Sequence, residues 1–566
     1  MELIDSGPTK MIGVVADLAQ HDLVREFFEL FKTPWEFYRA DRRYEVLLCT
    51  EDCDFSKSAS LVVLYASKKI GSDRGRIGHE RKRRTDSRIL TYKGNRIPIY
   101  GDAITFPAEE SSFLADEASR ESAAFVERFG EETLVRIGYD LFSEIRFLLA
   151  VGQPANNADL PALDLHIAVL RDLISGGGIS FIEIPPVPEG HKFIVCLTHD
   201  VDHPSIRQHK WDHTMFGFLY RALFGSVVKL VQGKISFRDL NKNWWTVLKL
   251  PLIHLGFAKD IWRDFDNQYL EIENGLSSTF FFIPFKNSAG KAFGAPPNKL
   301  RAAQYGAADL ADTVQKLTKA GCEVGLHGLD AWSDSSQASV ELGEIRRMTG
   351  SSNIGVRMHW LYYDEQSPGI LDEAEASYDS TVGYNQTVGY RAGTTQVYKP
   401  LNAAHLLELP MHVMDTALFY AAYMALSPEQ ARRLVGRLVD NAVQFGGCLT
   451  INWHDRSLAP ERLWDASYRD LLRDLKSRGA WFATAGQAVS WFRMRRSAAF
   501  ETDSGDSGTV HAKLTTHRGD NLPDLKIRVH HGQGTSTVGA SESGYGDAVL
   551  SQHEPVGPQI SCGAGR

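Results

Sequence analysis

The chain has 566 residues, long enough for two to four domains with sizeable cores. Hydrophobic residues make up 43% and charged residues 23%, the balance of a globular protein rather than a disordered or fibrous one. With 62 Lys and Arg against 70 Asp and Glu the formal charge is −8, which removes any electrostatic case for a nucleic-acid partner.

Residues 1–185 mix helical and strand-like patterns and read as an α/β domain whose role the sequence does not state. The basic run from Arg74 to Arg88 reads as a solvated loop, with an anion-binding patch as the alternative. The opening residues lack the basic and apolar regions of a signal peptide, so a cytoplasmic location is expected. Cysteines 49, 53, 196, 322, 448 and 562 are scattered without a CxxC pair, which argues against a disulfide framework. Prolines between Ile184 and Gly190 mark a linker.

The next segment is the most informative. An apolar run from Phe193 ends in Thr198-His199-Asp200-Val201-Asp202. In an extended strand alternate residues face the same way, so Asp200 and Asp202 project together and His199 projects oppositely. Two carboxylates sharing a site repel unless one is protonated or a cation lies between them. A metal ion plus a general base is the economical reading.

Residues 205–270 interrupt the pattern. The apolar stretch 215–231 carries Arg221 and Lys229 at amphipathic spacing and is slightly short for a membrane span. A helical cap over the active face is the plainer reading, and peripheral membrane contact through 215–231 is the sharper one.

From there to about 495, strands alternate with helices: 278–284, 322–327, 354–359 and 448–454 are strands. A helix capped by Ser427, with Pro428 in its first turn, ends at Gly446-Gly447. Such alternation predicts a largely parallel sheet or barrel. Four strands end in ionisable residues: Asp200 with Asp202, His327, Arg357 with His359, and His454. One such histidine is ordinarily structural. Four strand ends together point to a site, because catalytic groups of α/β barrels gather at the C-terminal ends of strands.

These segments resemble the polysaccharide deacetylase family, the NodB-type carbohydrate esterases, in an Asp-x-Asp form similar to a bacterial branch. The resemblance rests on Thr198–Asp202, Thr279–Phe282, Glu323–Gly328, Gly355–His359, Leu449–Asp455, Tyr378–Gly383 and Gly389–Gly393, and covers about 191–495. It implies a distorted (β/α) barrel after the N-terminal α/β domain. It further implies Asp200 as general base, Asp202 and His327 as metal ligands, and His454 as the acid that protonates the leaving amine. The family has a second ligand histidine four residues after the first, where this chain has Ala331. His359 is the expected third ligand, with Asp330, Asp334 and water as competitors. An Asp/His/His set with an open position suits Zn²⁺, although Co²⁺, Ni²⁺ and Mn²⁺ are also admitted.

A negative neighbour would keep His454 protonated, and Asp415 and Asp455 are the candidates. Arg357 or Arg391 is expected to hold Asp200 through a bidentate pair. Trp332, Trp360, Tyr362, Tyr363 and Trp453 are candidate sugar-binding aromatics, with core packing as the competing role. The implied reaction is hydrolysis of an N-acetyl group on an amino sugar in a polysaccharide or its precursor. An inactive glycan-binding barrel and an amidohydrolase for a non-sugar C–N bond are the rivals.

After Ser497 the composition shifts to Gly, Ser, Thr, Asp and His. Residues 497–566 are predicted to be a disordered tail, with His511, His517, His530, His531 and His553 as tail residues.

Overall fold

The structure is a computed structural model that describes residues 9–51, 59–73, 78–82, 87–233, 235–293, 296–502, 510–514, 522–532 and 545–550. Much of the basic run from Arg74 lies outside the described residues. Two of its arginines are described: Arg81 pairs with Glu121 at 2.9 Å, and Arg88 pairs with buried Asp116.

The first 185 residues build a nine-stranded mixed sheet packed against helices Leu141–Ala150 and Ala162–Gly176. Its start is parallel and its far half antiparallel. Buried hydrogen bonds tie this unit to the second half of the chain. Asp164 Oδ1 accepts from Thr394 Oγ1 at 2.6 Å, and the Gln153 amide donates to the Arg391 carbonyl at 2.7 Å.

The second sheet is parallel throughout. Its strands are β1 (Phe193–Val201), β2 (Ser278–Phe282), β3 (Glu323–Gly328), β4 (Val356–Met358), β5 (Val413–Met414), β6 (Cys448–Asn452) and β7 (Ala480–Phe482). Their order is β4-β3-β2-β1-β6-β5. One edge of β1 is taken by β6 over Ile194–Thr198, so β2 (from Leu197) and β7 (to Val195) share the other edge in succession. Single bridges Val356–Asp379 and Asp379–Glu408 carry the curl on from β4 towards the chain entering β5. The result is the distorted, curled α/β sheet expected from the strand–helix alternation.

Every residue of β1 is buried, which explains its nearly unbroken apolar run: strands covered on both faces lose the polar alternation. Phe193, Val195 and Leu197 pack into the core shared with the surrounding helices, whereas Ile194 and Cys196 belong to a different cluster with Phe281 and Cys448. Asp200 continues that second face at its upper end. His199 faces the other way, with Nδ1 donating to the Trp453 carbonyl at 2.7 Å and Nε2 2.9 Å from Glu273.

The end of the chain corrects one expectation. Described residues after Ser497 are not a disordered tail. Ala498–Thr502 pairs with Val510–Leu514, and Leu525–His530 pairs with Phe181–Glu183 and with Tyr545–Leu550. Leu525 and Ile527 are buried, and His530 Nε2 meets Glu183 at 2.8 Å. The average composition concealed a short alternating run, 525–530, which needs only one apolar face to dock on an existing edge. His517 and His553 lie outside the described residues.

Candidate metal centre

The strand ends converge on one cleft of about 430 Å³, lined by Asp200, Asp202, His327, His359 and His454 among others. Asp202 and His327 come from the ends of β1 and β3, and His359 from the turn after β4. Their ligand atoms lie within 4.8 Å of one another. Asp202 Oδ1 is 3.3 Å from His327 Nε2 and 3.4 Å from His359 Nδ1. His327 Nδ1 is 3.0 Å from the Arg357 carbonyl, which can only accept, so Nδ1 is the donor. In the neutral ring, Nε2 then turns a lone pair towards Asp202 and His359, the latter with Nδ1 3.0 Å away.

Burial lowers the pKa of His359, which favours its neutral form. Burial opposes ionisation of Asp202, but His359 and His327 outweigh it and hold the carboxyl well below its ordinary range. Asp202 Oδ1 is buried without a hydrogen-bond partner among the described residues. A carboxylate oxygen and an imidazole lone pair facing each other are both acceptors, which suits a shared cation.

The competitors for third ligand are engaged elsewhere. Asp334 caps helix Ser335–Thr349, its Oδ1 accepting from the Ser336 amide at 2.9 Å. Asp330 Oδ1 accepts from the Lys291 amide. Ala331 is buried in the core.

Asp200 stands beside this cluster. Its Oδ1 accepts from Arg357 Nη1 at 3.1 Å and its Oδ2 from Asn452 Nδ2 at 2.7 Å. Burial opposes its ionisation, but Arg357, His327 and His454 hold the carboxyl below its ordinary value. The expected bidentate pair is not what forms. Arg357 gives Asp200 one N–H and spends others on Thr198 Oγ1 at 2.6 Å and on the Ser380 carbonyl at 3.0 Å. It also lies 4.6 Å from the Phe281 ring centroid.

Arg391 is not at this site. Its Nη1 donates to the Gly383 carbonyl at 2.9 Å, and it lines a different cavity, against the N-terminal unit. Its place in the sequence carried no periodic relation to β1, so nothing directed it there.

His454 Nδ1 is 2.6 Å from Asp415 Oδ1, and its amide donates to Asp415 Oδ2 at 2.7 Å. Burial alone would lower the imidazole pKa, but Asp415, then Asp202 and Asp200, raise it to about 10. The other candidate partner, Asp455, accepts the His203 amide at 2.9 Å, and burial and Asp202 push its own carboxyl up to about 6.

Asn452 is the functional residue that sequence reasoning left unassigned. It sits two residues before His454 on β6, and its amide grips Asp200 from both sides: Oδ1 accepts from the Asp200 backbone at 3.2 Å. Period two along β6 was the signal that could have found it.

Of the five expected aromatics Trp360, 37% exposed, and Tyr362 line the cleft. Trp453 is 1% exposed and stacks on Tyr468 at 5.0 Å. Trp332 packs behind the cleft on Phe293 and Tyr362, and Tyr363 packs on the N-terminal core. Tyr420 and Tyr423 join Tyr362 on the cleft wall. Alternation explains why Tyr362 and Tyr363 part company, since neighbours in extended chain point apart.

No protein-family model matches this sequence, and no curated protein matches it. Among solved structures, a Mycobacterium smegmatis protein assigned as a polysaccharide deacetylase aligns at 17% identity and TM-score 0.34, covering 55% of this chain and 94% of its own. Puue allantoinase aligns at 14% identity and TM-score 0.32, covering 55% and 92%. Agd3, a carbohydrate deacetylase, aligns at 9% identity and TM-score 0.37, covering 97% and 99%. Likenesses this weak carry no argument about the chemistry of the site.

Proposed function

We propose that this protein is a metal-dependent hydrolase that removes an N-acetyl group from an amino sugar in a glycan or its precursor. One observation carries the reading. The ligand atoms of Asp202, His327 and His359, within 4.8 Å of one another, lie between an ionised carboxylate, Asp200, and an imidazole that keeps its proton, His454. Amide hydrolysis needs those three functions in one place: a cation position, a base and an acid.

The residues fit a divalent cation, because Asp202 Oδ1 is buried without a hydrogen-bond partner among the described residues and His327, its Nδ1 committed to the Arg357 carbonyl, turns Nε2 towards it. Two nitrogens and one carboxylate oxygen with the cleft open above them suit Zn²⁺ best. When bound, such a cation polarises the amide carbonyl and acidifies water at the open position.

Asp200 takes the proton of the attacking water. Arg357 and Asn452 fix its two oxygens and keep it ionised, so a base is available at neutral pH. His454 gives its Nε2 proton to the departing nitrogen, while Asp415 holds Nδ1 and fixes the ring orientation. An amine is a poor leaving group unless protonated, whereas an alcohol is far less demanding. Exposed Trp360 at the cleft offers a face for a sugar ring.

The test is acetate release from N-acetylglucosamine oligomers by protein loaded in turn with Zn²⁺, Co²⁺, Ni²⁺ and Mn²⁺. Release with the wild type and its loss in Asp200→Asn support the reading. Stoichiometric metal with no acetate from any N-acetyl sugar overturns it. A panel of non-sugar amides then separates the amidohydrolase alternative.

A further inference from the structure

We infer that Arg462 and Tyr420 form an oxyanion subsite, taking a carboxylate or phosphate carried by the acetylated substrate. The inference rests on the cleft being the substrate pocket proposed above.

Arg462 and Tyr420 line the same cleft as His327 and His454. Arg462 is 2% exposed, and its guanidinium lies 4.7 Å from the centroid of Tyr420 and 4.9 Å from that of Trp464. Its Nη2 donates to the Tyr420 hydroxyl at 2.6 Å. Nε and Nη1 are buried and find no hydrogen-bond partner among the described residues. Arg221, from the helical insertion, likewise has a buried Nε with no partner among the described residues. Arg456, also on the cleft wall, lies 5.4 Å from the Trp262 ring.

A buried guanidinium ordinarily spends its planar donor fork on a carboxylate or on carbonyls, because an orphaned charged donor is costly. Arg301 on the same cleft does so, donating to the Leu329 carbonyl at 2.7 Å and the His359 carbonyl at 3.0 Å. Arg462 does not. The acidic side chain beside it, Glu461, accepts from Trp262 Nε1 at 3.1 Å through Oε1, its buried Oε2 makes no hydrogen bond among the described residues, and burial pushes its carboxyl up although Arg462 opposes the rise. The positive field is felt by the neighbours. Burial, with Arg462 and Arg456, lowers Arg221 to about 10. Burial would raise Tyr420, yet the three arginines bring its hydroxyl down to about 8. A water molecule could satisfy one N–H but not the convergence of like charges. An oxyanion satisfies both, since each partnerless N–H of Arg462 offers it a charge-assisted donor.

Binding to the metal-free protein tests this without reference to turnover. Calorimetric titration with inorganic phosphate, with D-glucuronate and with neutral chitotetraose separates phosphate-bearing from uronate-bearing substrates. Arg462→Gln should weaken the anion that binds at least tenfold and leave the neutral oligomer unchanged. Arg456→Gln, on the same cleft wall, should weaken it in the same direction if Arg462→Gln fails to fold. Neither anion binding the wild type, or unchanged affinity in both variants, overturns the subsite. A protein that binds anions through Arg462 but releases no acetate would sink the proposed function and leave the subsite standing.

A separate observation points to a lipid surface. Helical residues His213–Val231, with a π-helical stretch at Tyr220–Gly225, pack beside helix Phe237–His254. Among the described residues, fourteen of the 23 exposed large hydrophobics fall between Trp211 and Phe257, so the apolar exposure is concentrated on this insertion. Phe216, Tyr220, Phe224, Val227 and Val231 recur at helical spacing along one face. Trp244, Trp245 and Leu248 are exposed on the second helix, where Lys249 lies over the Trp245 ring at 5.5 Å.

Along 210–259 Lys210, Arg238, Lys242, Lys249 and Lys259 are exposed, against half-buried Asp212 and Asp239, inside a chain of net charge −8. An apolar, tryptophan-bearing, cationic surface matches an anionic bilayer better than a second copy of an acidic protein. Co-sedimentation with phosphatidylglycerol vesicles should exceed that with phosphatidylcholine vesicles at least tenfold and fall in Phe224→Ser/Trp245→Ser. No binding to anionic vesicles, or a dimer in solution that the double variant dissolves, overturns it.

Discussion

The Nδ1 atom of His454 lies 2.6 Å from Oδ1 of Asp415, a carboxylate that is wholly buried. The second oxygen of Asp415 accepts the His454 amide and the Ser457 hydroxyl, so the carboxylate is fully committed to holding this loop and this ring. One tautomer and one orientation result, with Nε2 turned towards Asp202 at 3.8 Å. The same contact sets the charge of the ring.

That charge gives a pH prediction with a definite sign. His454 is raised from 6.5 to about 10 in the folded protein. Its stabilising contribution is therefore fully present below about pH 6.5 and disappears as pH rises through about 10. The stability gap between metal-free wild type and His454→Gln, measured by urea unfolding, should shrink by a few kcal/mol across that window. A gap that is constant with pH would refute the raised value. In turnover, His454→Gln should lower kcat by about 10²–10⁴-fold.

Metal retention should separate His359 from Asp334. His359→Ala removes a ligand atom from the cluster, and bound metal should fall well below one equivalent by mass spectrometry of the purified protein. Asp334→Ala removes only a helix cap, costing about 1 kcal/mol, and should keep its metal.

Asn452→Asp places a second carboxylate against Asp200, where the amide now lies at 2.7 Å. Two such groups cannot both stay ionised, so one takes a proton. The acid limb of the rate profile should move to higher pH, and activity at neutral pH should drop. Asn452→Ala lacks the added charge and should leave the limb closer to that of the wild type.

Two tryptophans should respond oppositely to alanine. Trp453, stacked on Tyr468 in the core, should cost about 3–5 kcal/mol of stability. Trp360, on the cleft wall, should change stability by about 0.5 kcal/mol or less and raise KM for a glycan substrate. Thermal unfolding and steady-state kinetics on the same preparations read both outcomes.

Truncation after Ser497 should not be silent. Removing Leu525–His530 uncovers the edge of Phe181–Glu183, breaks the His530–Glu183 contact, and exposes the cluster containing Ile182 and Trp491. The shortened chain should melt lower and aggregate through the bared strand edge.

Local pattern in the chain carried much of the fold. The uninterrupted apolar run of β1, its ending in Asp200 and Asp202, and the capped helix before β6 arise from periods and propensities spanning a few residues. Ser427 does cap that helix, with Pro428 in its first turn. Strand periodicity also separated His199 from Asp200 correctly, since consecutive side chains on a pleated strand must diverge.

What pairs with those residues was decided elsewhere. Asn452 reaches Asp200 across 252 residues, Arg462 and Tyr420 meet across 42, and Leu525–His530 docks on a strand more than 340 positions earlier. Local pattern carries no information on such distances, because they are set by how the sheet curls and which edges it leaves open. The same limit applied to the aromatics: alternation put Tyr362 in the cleft and Tyr363 in the core, but only packing showed which face was which. The sequence by itself determined that two carboxylates and several imidazoles would end strands of one parallel sheet, because strand periodicity is local. Tertiary structure alone decided that Asp202, His327 and His359 face one another, that Asp415 holds His454, and that Arg462 is buried against Tyr420 and Trp464, because each depends on chain segments that only folding brings together.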